Sequence, residues 1–109
     1  MKWSVTYYNR KVLDSIKKMP KKIKARYIAL TDRMIEKGPD LGMPHTRSMG
    51  DGLFEIRVKA QEGISRFFYC IKVKNEIVIL HAFVKKTQQT PAKELQIAKK
   101  RMQEVKKDG

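Results

Sequence analysis

The chain opens on an alternating segment, Trp3-Ser4-Val5-Thr6-Tyr7-Tyr8, rich in residues that fit a pleated surface, which predicts a first strand. The period then lengthens. Asn9 is a candidate N-cap for a short helix to residue 19, with Val12, Leu13, Ile16 and Met19 on one face. Pro20 interrupts that helix and suits the start of a second, which carries Ile23, Tyr27, Leu30 and Met34 at spacings of four, three and four. Gly38-Pro39 stops it. Residues 39–51, with Gly42, Pro44, Gly50 and Asp51, are predicted as a loop. Three strands follow, over 53–59, 64–74 and 77–83, with breaks at 61–63 and 74–76 short enough for hairpins. The pattern ends on a helix over 92–107, entered after Thr90-Pro91, whose Leu95, Ala98, Met102 and Val105 form a narrow apolar stripe suited to core packing or to a docking face. The fold class is therefore α+β: one strand, two helices, a three-strand meander and a C-terminal helix around a small antiparallel sheet. Residues 1–109 are expected to form a single domain.

Composition narrows the function classes. Hydrophobic residues make up 41% of the chain and charged residues 33%, the balance of a folded globule. The N-terminus lacks an apolar signal region, and the apolar run 77–84, broken by His81, is too short to span a bilayer. A cytoplasmic protein without membrane attachment is expected. Cys70, the single cysteine, lies in an apolar run and reads as a buried, inert thiol. No Cys/His cluster suggests a metal, and no cofactor is expected.

The net charge is +14, and its distribution is uneven. Residues 1–38 carry 11 basic and 3 acidic groups, residues 39–83 carry 6 and 5, and residues 84–109 carry 8 and 3. Such a field favours a polyanion, although lysine-rich helix faces also serve solubility. Lys17, Lys18, Lys21 and Lys22 are candidates for diffuse contact with RNA.

In the middle third, Glu55, Arg57 and Lys59 share one face of a strand whose other face is apolar, so that face is expected to be wet. Arg66 opens the next strand, and the following hairpin brings His81 and the pair Lys85-Lys86. An antiparallel meander gathers these groups into a phosphate site, because arginine offers a planar fork to phosphate oxygens and lysine a mobile point charge. Cations clustered there would also stabilise the charge that builds on phosphorus when a ribose 2′-hydroxyl attacks it. Glu55, His81 or a lysine of depressed pKa are the candidate general bases. Simpler readings stand beside these: Arg66 pairing with Glu55 across the strands, and His81 as a satisfied structural histidine.

The run Gly52-Leu53-Phe54-Glu55-Ile56-Arg57, then Ser65-Arg66-Phe67-Phe68-Tyr69, then residues 80–91 with Phe83, Lys85, Lys86 and Pro91, and then the helix from Glu94 to Arg101 resemble the phage-Gp49-like branch of the RelE/HigB toxins. The resemblance covers about residues 40–102, while the first third matches only in element order. It implies a RelE-like fold, metal-independent cleavage of mRNA on the translating ribosome, and neutralisation by a helix-turn-helix antitoxin of HigA type. By position, Arg57 and Arg66 would hold the scissile phosphate, and Lys85 and Lys86 would match the basic pair after the last strand. Some relatives carry a tyrosine where this chain reads Gln89-Thr90-Pro91-Ala92, so base stacking would fall to Tyr69 or Phe83. Two rival readings remain: a gyrase-poisoning toxin of the ParE type, which shares the fold, and an RNA- or ribosome-binding protein without activity.

Overall fold

The computed structural model describes residues 2–61, 63–85 and 91–108. Eight elements follow one another: β1 (Ser4–Tyr7), α1 (Arg10–Lys17), α2 (Lys21–Lys37), β2 (Thr46–Gly50), β3 (Leu53–Ala60), β4 (Gly63–Lys72), β5 (Glu76–Lys85) and α3 (Ala92–Asp108). The strands form one sheet in the order β1-β5-β4-β3-β2.

Local signals set the helices. The Asn9 side chain accepts a hydrogen bond from the Val12 amide at 2.9 Å, satisfying one of the donors that a helix start leaves open. Gly38, at φ 108°, ends α2, and its amide bonds the Met34 carbonyl.

The sheet departs from the sequence expectation in two ways. Residues 46–50 are a strand rather than loop, antiparallel to β3. The turn between them is Asp51-Gly52, with φ of 55° and 87°, a geometry whose twist matches that of the flanking strands. The sheet is also mixed, because β1 runs parallel to β5. That placement explains why Ile77, Val78, Ile79 and Leu80 are all apolar: β5 is flanked on both sides by strands and covered on both faces.

One face of the sheet carries Ile56, Val58, Phe67, Tyr69, Ile77, Ile79 and Ala82 against Val12, Ile16, Ile23, Tyr27, Leu30 and Met34 of α1 and α2. Tyr27 stacks on Phe67 with ring centroids 4.3 Å apart. The other face presents Leu53, Phe68, Cys70, Val78 and Leu80 to the α3 stripe of Leu95, Ala98, Met102 and Val105. The α3 stripe is thus used inside the fold. Between Phe68 and Tyr69 the β4–β5 register shifts, so that Leu80 and His81 together oppose Phe68. This bulge keeps both residues on the α3 side of the sheet and returns Ala82 to the α1/α2 side.

Candidate nucleic-acid interface

Register decides which charged residues meet. Glu55 and Arg57 alternate with Ile56 and Val58, which face α1 and α2, so both point to the α3 side. Across the strands three rows form: Arg47, Glu55, Phe68, His81; then Arg57, Arg66, Phe83; then Lys59, Ile64, Lys85. Partners in such rows have their Cβ atoms about 5 Å apart. Arg57, Arg66, Lys59 and Lys85 are thereby brought together, whereas Lys86 lies outside the described residues.

The centre of this face is not wet as expected. Glu55 is wholly buried, and so is Arg66. One carboxylate oxygen accepts from Arg66 Nη1, and the other accepts from Arg47 Nη2 at 3.0 Å. The cross-strand pairing of Arg66 with Glu55 is therefore real. Its physical basis is the row beside it: Phe68 fills the face on one side of Glu55, and β2 supplies Arg47 on the other. Two guanidinium groups compensate a carboxylate that burial would otherwise penalise heavily. With both oxygens engaged, Glu55 is poorly placed to take a proton from substrate and well placed to hold Arg66. Arg47, assigned to a loop by sequence reasoning, is a member of the site; the Asp51-Gly52 hairpin signal could have found it.

His81 is also engaged. Its Nε2 lies 3.1 and 3.3 Å from the two oxygens of Glu94, linking β5 to the first turn of α3, and its ring stacks on Phe83. Tyr69 cannot stack on a base: it is buried on the opposite face, and its hydroxyl donates to the Pro39 carbonyl. Alternation along β4 puts Tyr69 beneath the helices, whereas Phe83 is half-buried on the α3 side, in the row of Arg57 and Arg66. Burial pushes the Tyr69 hydroxyl well above its ordinary pKa, with Asp40 adding to the shift and a Thr46 hydrogen bond opposing it. Burial likewise raises the Cys70 thiol, which keeps it protonated and inert.

Exposed cations surround this buried pair. Lys59 and Lys85 are exposed at the end of the sheet, and Arg57 is half-buried between them and the ion-paired centre. Lys17, Lys18, Lys21 and Lys22 are exposed at the junction of α1 and α2. Lys22 Nζ reaches Gln61 in the β3–β4 turn at 3.4 Å, and Arg26 Nη1 donates to the Lys59 carbonyl. The helical lysines thus continue round the hairpin end toward Lys59 and Lys85. Among the described residues no group of three or more His, Cys, Asp or Glu side chains could hold a metal ion. No helix among them is long and apolar enough to cross a membrane.

The family model described as phage derived protein Gp49-like matches residues 14–103, from within α1 to within α3. The chain belongs to this Gp49-like family. Two solved structures share the fold of this Gp49-like protein. A mutant of the E. coli toxin RelE in the free state superposes with a TM-score of 0.60 at 14% identity, covering 94% of this chain and 99% of that one. The archaeal RelE of a RelE–RelB complex from Pyrococcus horikoshii gives 0.52 at 19% identity, covering 82% of this chain and 100% of that one. No curated protein matches. The RelE-like α+β architecture read from the sequence is therefore the architecture of this Gp49-like protein, with β2 and the parallel β1–β5 pairing added to it.

Proposed function

We propose that this Gp49-like protein is the toxin of a type II toxin–antitoxin pair and acts as a metal-independent endoribonuclease on mRNA at the ribosome. The observation that carries the reading is the Arg57–Arg66–Phe83 row. It lies beside Lys59 and Lys85 on one sheet face, where the one carboxylate in the adjacent row of β3, Glu55, is buried and already paired. Membership of the Gp49-like family and the RelE-like fold support the toxin role. One neighbour of this fold was solved in complex with RelB; the partner proposed here is a cognate helix-turn-helix antitoxin, and the proposed compartment is the cytoplasm.

In the reaction the 2′-oxygen attacks the adjacent phosphorus, the phosphorus–5′-oxygen bond breaks, and a cyclic 2′,3′-phosphate and a 5′-hydroxyl result. The proton lost by the 2′-hydroxyl is balanced by one gained at the 5′-oxygen. Arg57, Lys59 and Lys85 stabilise the charge that grows on the non-bridging oxygens, an interaction stronger in the transition state than in the ground state. Arg66, held by Glu55, acts from behind them by fixing the field and the position of the Arg57 row. Phe83 offers a ring face to a neighbouring base.

Single-turnover cleavage of ribosome-bound mRNA tests the assignment. Arg57→Ala is expected to co-sediment with ribosomes and to cut about 100- to 1,000-fold more slowly, the usual cost of removing one donor aimed at developing charge. Lys85→Ala should lose less, and His81→Gln little. Parental rates in a folded Arg57→Ala variant would refute the phosphate site. Pulse-labelling after induction without the antitoxin should show protein synthesis failing first; an earlier fall in DNA synthesis would favour gyrase poisoning.

A further inference from the structure

Beyond the end of its pairing with β2, β3 borders a cavity of about 600 Å³ whose apolar wall none of the roles above uses. Arg26, Ala29 and Leu30 of α2 form one wall, Arg57, Val58 and Lys59 of β3 another, and Pro44 and His45 close the end, with Ile64 also contributing. Its size falls within the range of small-molecule sites. The described residues around it are of two kinds: apolar ones, Ala29, Leu30, Pro44, Val58 and Ile64, and polar ones, two arginines, a lysine and a histidine, with no carboxylate among these described residues. A ligand matching it has a flat or compact apolar body and a negative charge at its edge.

We infer that this cavity receives one nucleotide of single-stranded RNA flanking the scissile phosphate, with the base against Leu30, Pro44 and Val58 on the α2 side and its phosphate at the edge of β3 beyond β2, from which Arg57 and Lys59 extend on the α3 side. Three observations favour RNA as the occupant. Arg57 lines both the cavity and the cation row, so a strand held at that row passes the cavity mouth. The Arg26 guanidinium is fixed by its bond to the Lys59 carbonyl, which presents a flat cationic plane of the kind on which an unstacked base rests. Lys22 of α2 reaches Gln61, two residues beyond Lys59, so the exposed lysines at the start of α2 lie beside the same end of β3 and extend the basic surface open to a phosphate backbone. The cavity would then set a preference for the base beside the cut. The inference rests on the ribonuclease reading for its biological role, but its binding test does not.

The test is NMR titration of the isotope-labelled full chain with each of the four ribonucleoside 5′-monophosphates and, separately, with inorganic phosphate. Amide shifts at Ala29, His45 and Val58 are expected with the nucleotides, at an affinity roughly tenfold above that for phosphate, a factor in the range that stacking one base provides. Ala29→Trp, which fills the cavity from an exposed helix position, should abolish that difference, and Arg26→Gln should reduce it without altering the apolar wall. A shifted base preference at the cleavage site in either variant would connect the cavity to activity. Nucleotides binding no tighter than phosphate, or shifting amides elsewhere, would overturn the inference. So would unshifted amides that become protected only when a protein partner is bound. If the parent chain fails to cleave mRNA yet shows the nucleotide shifts, the ribonuclease reading falls and the cavity assignment stands.

Discussion

Glu55 faces two guanidinium groups from a position with no solvent exposure, and that geometry makes its removal costly. Glu55→Ala leaves the buried Arg66 without its carboxylate, and breaking a buried pair in this way costs about 3 to 5 kcal/mol. Urea denaturation should show that loss, and Glu55→Ala should reduce cleavage only as far as Arg57 is displaced. A second residue-scale expectation concerns alkaline pH. Burial raises the phenols of Tyr69 and Tyr27 above their ordinary value, with Tyr7 adding to the shift at Tyr27. A group whose folded pKa is raised contributes stability that is complete below its unfolded value, about 10 for tyrosine, and loses it as pH rises beyond that value. Urea midpoints should therefore decline above about pH 10. Tyr69→Phe should make that decline shallower while giving up the hydrogen bond to Pro39.

At the scale of the element, α1 has eight residues and depends on its cap. Asn9→Ala removes the acceptor for the Val12 amide and should cost about 1 kcal/mol, whereas Asn9→Ser should keep most of it. Thermal melts of the two variants check this, and equal melting temperatures would show that burial of Val12 and Ile16 alone holds the helix. The strands are less legible than the helices. The 39–51 segment reads as a loop because its glycines and Pro44 outweigh the short alternation at 46–49, yet Asp51-Gly52 supplies the positive φ values that close a tight hairpin. The bulge opposite Phe68 has no such signal. A run that is apolar at every position but His81 has no alternation to break, so the extra residue at Leu80–His81 is invisible until the strands are paired.

For the whole molecule, the net charge of +14 comes mainly from the first and last thirds of the chain, and Lys17, Lys18, Lys21 and Lys22 are exposed on the helical layer. Replacing these four with Gln should weaken binding to ribosomal RNA and flatten its salt dependence by roughly 0.7 to 0.9 log units for each phosphate no longer neutralised. The chemical step should be unaffected, as single-turnover rates at saturating protein would show. An unchanged salt slope would mean that these lysines only keep the helical layer solvated.

The sequence by itself determined the order of every element except β2, the apolar faces of α1, α2 and α3, and the charged identity of Glu55, Arg57 and Lys59 on one strand face. These follow from periods of 3.6 and 2, which are local properties of the chain. Tertiary structure alone decided that β1 pairs parallel with β5, that Tyr69 lies under the helices, that Arg47 joins the site, and that Glu55 and Arg66 are buried together rather than exposed. The physical reason is the same in each case. Alternation tells which residues share a face, but whether that face meets water, a helix or a neighbouring cation depends on elements distant in sequence, and their pairing is fixed only when the layers pack.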